Sequence, residues 1–201
     1  MERIGLLGGT FNTIHNGHIR LAELMKNELG LHRVVFIPDH IPPHKSKDGV
    51  LADELRLKML TLATENLPYS EIDPREINRG GKSYTYFTLK ELTEENPNAK
   101  YFFLVGSDMF LTLDRWFRSE DIMKMAVFCG VARTKEDKEK LFSKQKEFKE
   151  KGFETVVLNS EAMPLSSSEI REKIALGEDV LGLLPLSVLN FIKEKGLYGN
   201  N

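Results

Sequence analysis

The sequence predicts an α/β fold, a Rossmann-like doubly wound parallel sheet with a small C-terminal helical tail. Three observations lead there. Short apolar runs alternate with segments of helical period from the first residues onward. The first run ends in Gly8-Gly9, the tight turn expected at a βα junction. A helical segment between two buried runs is a βαβ unit, which requires a parallel pairing through a right-handed crossover. With 201 residues the chain can hold one such domain with a proper core and is too short for two full ones. The expected organisation is a single domain over residues 1–201, with a helical subregion from about residue 165 onward.

Each element has its own signal. Residues 4–7 form the first buried strand. Residues 17–29 set Ile19, Leu21, Ala22, Leu24, Met25 and Leu29 at helical spacing, and Gly30 stops the helix. Residues 33–37 are a second buried strand, closed by Pro38. The loop 39–49, punctuated by His40, Pro42-Pro43 and His44, is long for a connector, and such loops at strand C-terminal ends are more often functional. Residues 53–66 read as a helix buried through Leu55, Leu57, Met59, Leu60, Leu62 and Ala63. Residues 72–77 read as a short, broken strand, and residues 84–95 as a helix with Phe87, Leu89 and Leu92 inward. Residues 100–105 are the clearest central strand; 125–132 are another, and 155–158 a shorter one. Residues 135–151 are almost wholly charged, with Leu141, Phe142 and Phe148 as a thin apolar stripe, which describes a solvated helix lying across the sheet. Helices over 168–176 and 186–195 complete the chain, the last stopped by Gly196.

Composition narrows the function classes. A formal net charge of −2 supplies no global positive field for a nucleic-acid backbone. No stretch approaches the roughly 20 apolar residues of a spanning helix, and the N-terminus lacks the apolar core of a signal peptide. A soluble, cytoplasmic protein with no membrane partner is expected. The single cysteine, Cys129, lies in an apolar run and reads as a buried thiol. Assembly into a homo-oligomer is left open.

The first βα junction reads Gly8-Gly9-Thr10-Phe11-Asn12-Thr13-Ile14-His15-Asn16-Gly17-His18. In an open parallel sheet such a junction lies at the carboxyl end of a central strand, where ligands bind. The glycines allow close backbone approach and leave N–H groups free for phosphate. His15 and His18 share one face of the first helical turn, and Gly17 between them carries no side chain to obstruct a ligand. The helix N-terminus favours negative charge. Imidazoles aimed at a polyphosphate can donate to oxygens that gain charge during phosphoryl transfer. A metal site or purely structural histidines are the alternatives, and no third ligand lies nearby. Gly-x-Gly-x-x-Gly is absent, so hydride transfer has no support. A second motif, Leu165-Ser166-Ser167-Ser168-Glu169-Ile170-Arg171, combines hydroxyls, a helix N-terminus and an arginine one turn in. It is equally a capping box between Ser166 and Glu169.

Gly8-Gly9-Thr10-Phe11 followed by His15-x-Gly17-His18 resembles the signature of nucleotidyltransferases related to class I aminoacyl-tRNA synthetases. Position by position it is most similar to the bacterial nicotinate mononucleotide adenylyltransferase family. The family has Asp-Pro where this chain has Asn12-Thr13, a loss of one carboxylate and one fixed φ. The resemblance implies that His15 and His18 contact the ATP phosphates and that Ser167, Ser168 and Arg171 hold their β/γ end. Ser168 stands where the family has threonine. It implies further that Gly106 and Asp108, in Gly106-Ser107-Asp108, hold ribose hydroxyls, and that Arg133 lies near adenine. In Pro42-Pro43-His44-Lys45, Lys45 would meet phosphate, with Arg56 and Met59 also in pattern. The turn Ser83-Tyr84-Thr85 would offer N–H groups to a nicotinate carboxylate, and Trp116 would stack on the pyridine ring. Taken alone, these last features also read as an exposed loop lysine, a capped glycine turn and a core tryptophan. The resemblance runs to the closing residues 191–198. It implies ATP and nicotinate mononucleotide as substrates, deamido-NAD and pyrophosphate as products, and Mg²⁺ bound through ATP phosphates with no dedicated carboxylate cage.

Overall fold

The computed structural model describes residues 1–43 and 48–199. Six parallel strands form one sheet: β1 (Glu2–Gly9), β2 (Arg33–Pro38), β3 (Ser70–Ile72), β4 (Ala99–Gly106), β5 (Ala126–Ala132) and β6 (Thr155–Glu161). Their order is β3-β2-β1-β4-β5-β6. The chain winds outward from β1 in one direction and, after β4, in the other, so β1 and β4 flank the topological switch point. This is the doubly wound architecture expected from the alternating pattern.

Both faces of the sheet are covered, and the strands show why. In β4, Phe102 and Leu104 point into one apolar cluster while Tyr101, Phe103 and Val105 point into the other. In β5, Val127, Cys129 and Val131 alternate in the same way with Phe128 and Ala132. Helices α1 (Asn16–Leu29), α2 (Asp53–Thr64), α8 (Ser167–Ala175) and α9 (Leu186–Lys195) bring Met25, Met59, Ile170 and Leu189 to the first cluster. Helices α4 (Thr85–Glu95), α5 (Ser107–Leu111), α6 (Ser119–Met125) and α7 (Lys135–Glu150) bring Leu89, Phe110, Ile122 and Phe148 to the second. The C-terminal helices are therefore one wall of the domain core. Gly30 and Gly196 end α1 and α9 at positive φ, as the stop signals require.

Four expectations are corrected. The segment read as a strand over 72–77 splits after Ile72 into helix α3 (Arg75–Arg79). Asp73 accepts the Arg75 amide at 3.0 Å, a local turn that, with Pro74, redirects the chain. Phe87 does not face inward: it is 40% exposed and sits in a surface group of rings with Tyr84, Tyr86 and Phe117. Phe142 is likewise exposed, so α7 is anchored by Leu141 and Phe148 alone among its three stripe residues. On α2, Leu55 and Leu57 are only half-buried, and the fully buried side chain of that turn is Arg56.

Candidate active site

A cleft of about 990 Å³ opens at the carboxyl ends of β1, β4 and β5. It lies at the switch point, where adjacent crossovers leave in opposite directions and open a crevice. The loop after β1 forms its floor. A second cleft of about 920 Å³ lies at the other end of β4 and β5, bordered by Lys100, Met123 and Phe153, and carries none of the residues singled out above.

On the floor, His15 is the N-cap of α1 and His18 sits one turn in, with ring centroids 3.7 Å apart and nearly parallel. The His15 backbone N–H donates to Nδ1 of His18 at 3.2 Å. That bond fixes the neutral His18 tautomer, leaving its proton on Nε2 as a donor. His15 is buried and its Nδ1 has no hydrogen-bond partner. Burial lowers the His15 imidazole to about 4, and burial together with the neighbouring His15 holds His18 well below its ordinary value. Both rings are thus neutral near pH 7. Phe11 packs edge-on against His18 at 5.1 Å. At Gly17 a Cβ would lie 2.9 Å from His15 Nδ1 and 3.4 Å from Leu165 Cβ, so glycine is what lets the stacked pair and the 165–168 segment coexist.

Helix α8 closes one side. Ser166 is its N-cap but makes no side-chain cap bond, so the capping box read from sequence does not form. Ser167 instead donates its hydroxyl to the Thr13 carbonyl at 2.9 Å. Arg171 donates to the Asn12 carbonyl through Nη1 and to Ser168 Oγ through Nη2 at 3.2 Å. The α8 N-terminus and the histidine turn are therefore tied together, with Ser167, Ser168 and Arg171 all on the cleft wall.

The opposite wall is built around a buried cation. Arg56, with no exposed side chain, donates to the carbonyls of Thr10 at 2.5 Å and Asp39 at 2.6 Å, and to Asp53 Oδ1 at 2.6 Å. Thr10 adds a hydroxyl bond to Asp39 at 2.8 Å. These bonds join the ends of β1 and β2 to the start of α2. They also hold Asp53 below the usual carboxylate range, through Arg56 and His40, against the effect of desolvation.

The 80–85 turn borders the same wall. Gly80 and Gly81 adopt positive φ, which the turn requires. Ser83 accepts the His40 amide at 2.9 Å and donates its own backbone N–H to the Ile41 carbonyl at 2.9 Å. Glu76, buried on α3, accepts the Thr88 hydroxyl at 2.5 Å and lines the cleft. Burial raises its carboxyl, against the pull of the Thr88 and Ser83 hydroxyls and of Arg79.

The structure brings most of the residues singled out in the sequence to one cleft. Gly8, Gly9, Thr10 and Phe11 line the floor; Gly106 and Arg133 lie at the ends of β4 and β5; Ser83, Thr85 and Trp116 border the remaining side. Trp116 also packs edge-on over Phe128 at 6.1 Å, so it is at once core and wall. Tyr84 and Asp108 do not line the cleft: Tyr84 packs against Phe87 and Phe117, and Asp108 faces Arg133 at 3.8 Å on the exposed rim. Lys45 lies outside the described residues. Sequence reasoning missed Glu76 and Asp39, whose place in the wall depends on pairing between segments distant in the chain. Among the described residues, no group of three His, Cys, Asp or Glu side chains is placed to hold a metal ion.

Residues 6–173 match the model of the cytidylyltransferase-like family. A Listeria welshimeri protein named "Probable nicotinate-nucleotide adenylyltransferase" is 38% identical over 198 residues, covering 98% of both chains. A protein of the same name from Enterococcus faecalis is 38% identical over 197 residues, 98% of this chain and 85% of its own. Among solved structures, the Plasmodium falciparum nicotinic acid mononucleotide adenylyltransferase complexed with NaAD superposes with a TM-score of 0.78 at 21% identity, over 98% of each chain. Its complex with APC gives the same TM-score at 20% identity and the same coverage. At that distance the likeness speaks for the fold, whereas the sequence relatives cover 98% of the chain at 38% identity: the chain belongs to the cytidylyltransferase-like family and, within it, to the nicotinate-nucleotide adenylyltransferases.

Proposed function

We propose that the protein transfers the AMP part of ATP to nicotinate mononucleotide, forming nicotinate adenine dinucleotide and pyrophosphate in NAD biosynthesis. A phosphate oxygen of the mononucleotide attacks the α-phosphorus, the bond from that phosphorus to the bridging oxygen breaks, and pyrophosphate leaves with the electron pair. The attacking phosphate is already anionic, so no general base is required. Catalysis then rests on positioning and on stabilising charge as it develops.

The observation that carries this reading is the stacked, neutral histidine pair at the N-terminus of α1, sharing one cleft with Arg171 and Ser168 of α8. Neutral imidazoles donate to phosphate without the full desolvation cost of buried cations. His18 would donate through Nε2. Arg171 and the serines would hold the β/γ end. Gly8, Gly9, Thr10, Phe11 and Gly17 would let the nucleotide approach the backbone. Gly106 and Asp108 would take the ribose, Arg133 the adenine. Ser83, Tyr84 and Thr85 would present the turn to the pyridine carboxylate, beside Trp116. Mg²⁺ would be held through ATP phosphate oxygens and would neutralise their charge.

Among the described residues no helix is long and apolar enough to cross a membrane. The buried thiol of Cys129, the one cysteine of the chain, suits a reducing compartment, and with ATP as substrate we place the protein in the cytoplasm.

The test is pyrophosphate release with Mg²⁺-ATP and, in turn, nicotinate mononucleotide, nicotinamide mononucleotide and phosphopantetheine. Release with the nicotinate compound is expected. No release with it, from folded protein that binds ATP, would overturn the assignment.

A further inference from the structure

The departure from Asp-Pro in the first motif leaves Asn12, 4% exposed, at the centre of a junction of separate chain segments. Its Nδ2 donates to the Gly49 carbonyl at 2.9 Å. Its Oδ1 accepts the Leu51 amide at 3.3 Å and the Tyr198 hydroxyl at 2.9 Å. Its backbone carbonyl accepts Arg171 Nη1. One residue therefore joins the histidine loop, the segment that leads into α2, the C-terminal tail and the arginine of α8.

The chemistry of the junction selects an amide. Gly49 offers an acceptor, while Leu51 and Tyr198 offer donors, so the site needs a side chain with both kinds of group at fixed places. That pattern also fixes the orientation of the amide, because the flipped arrangement would face Nδ2 to the Leu51 N–H and Oδ1 to the Gly49 carbonyl. A carboxylate satisfies Leu51 and Tyr198 but sets an oxygen against the Gly49 carbonyl. Partial burial raises the Tyr198 phenol above its ordinary value, so its hydroxyl keeps the proton that it donates to Asn12. The neighbouring Thr13 carbonyl takes the Ser167 hydroxyl at 2.9 Å, so α8 grips the same loop one residue on. Asp48, Gly49 and Val50 line the cleft, so the far end of the Asn12 bonds is part of the wall.

We propose that Asn12 is a positioning residue that sets the 48–50 wall through its amide, and with it the acceptor end of the site on the side of the cleft across from α8, while Tyr198 holds that amide in place from the C-terminal tail. The assignment of an acceptor end rests on the function proposed above. Asn12 orients protein segments; its role requires no contact with the reacting atoms.

The experiment compares wild type, Asn12→Asp, Asn12→Ala, Tyr198→Phe and the Asn12→Ala/Tyr198→Phe double variant in steady-state kinetics, varying each substrate in turn. The Leu51 amide is followed by hydrogen exchange in the ligand-free proteins. Asn12→Asp loses one buried donor and is expected to raise KM for the mononucleotide about tenfold, with KM for ATP within about twofold. Asn12→Ala should raise it at least as much and speed exchange at Leu51. Tyr198→Phe should shift it in the same direction by about threefold in the wild type and not at all in the Asn12→Ala background. Equal changes in both KM values, additive effects of the two substitutions, or unchanged exchange at Leu51 would each overturn the proposal. If Asn12→Ala does not fold, Asn12→Asp decides by its KM split. Wild-type protein that ignores the mononucleotide would sink the proposed function instead, and Leu51 exchange would still decide whether the junction exists.

Discussion

At the scale of single residues, the histidine turn shows how much depends on a few atoms. His18 accepts the His15 amide and carries its own proton on the opposite nitrogen. Replacement by alanine removes a donor to the transition state and leaves that amide without its partner. We expect His18→Ala to lower turnover by roughly 10²-fold or more, the scale of losing one preorganised donor; near-normal turnover in a folded variant would remove the histidine from the mechanism. Gly17 separates stability from function. Alanine is better than glycine inside a helix by about 1 kcal/mol, yet its Cβ would stand 2.9 Å from His15 Nδ1. Gly17→Ala should therefore leave the melting temperature nearly unchanged while turnover falls at least tenfold, the factor for about 1.4 kcal/mol of lost transition-state stabilisation. A thermal scan beside an activity assay checks both halves. The histidines, the glycine between them and Arg171 were legible in the sequence because each lies in a short motif with fixed spacing. Glu76 was not, since what makes it part of the wall is Thr88 on the next helix and its burial beneath Ser83.

Elements were legible in proportion to how completely their own sequence determines them. Strands β1, β2, β4 and β5 are buried on both faces and appear as continuous apolar runs, with observed bounds within two residues of those expected. Helices α5 and α6, of five and seven residues, were not read at all, because fewer than two turns give no period to detect. The ring cluster around Phe87 was misread for a different reason: helical spacing identifies an apolar stripe, but packing decides that Tyr86, Phe87 and Phe117 cover one another on the surface. Caps were partly legible. Ser166 had the sequence of a capping box and makes none, whereas Thr134 accepts the Asp137 amide at 3.1 Å and caps α7. Helix α7 is mostly charged and buries only Leu141 and Phe148, so polar ties share in holding it: the cap, Lys138 to the Asn159 carbonyl at 2.6 Å and Gln145 to the Thr155 carbonyl at 2.8 Å. Thr134→Ala should cost about 1 kcal/mol in denaturant unfolding. A variant as stable as the wild type would mean that Leu141, Phe148 and the bonds from Lys138, Lys144 and Gln145 set the position of α7 without the cap.

For the whole molecule, the doubly wound topology followed from strand and helix alternating along the chain, and with it the place of the cleft at the switch point. Its consequence for stability did not, because it depends on burying two imidazoles side by side. Both are held neutral in the folded protein, His15 at about 4 by burial and His18 well below its ordinary value by burial and by His15. In the unfolded chain each titrates near 6.5. Between those values unfolding takes up protons, so the stability these groups contribute is complete above about pH 6.5 and is lost as pH falls toward 4. Glu76 works the other way: its carboxyl is raised by burial, so its protonation at lower pH favours the folded state, but it is one group against two. Asp53, Glu28 and Asp114, all held low, lose their contributions only below about pH 5. Ligand-free protein should therefore lose on the order of 2 kcal/mol of unfolding free energy between pH 7 and pH 5 through His15 alone, with His18 adding to the loss and Glu76 returning part of it. His15→Gln/His18→Gln, with no imidazole to charge on unfolding, should show less than half of that loss. Urea unfolding of both proteins at the two pH values measures it, and equal losses would mean that the acid sensitivity belongs to groups outside the histidine turn.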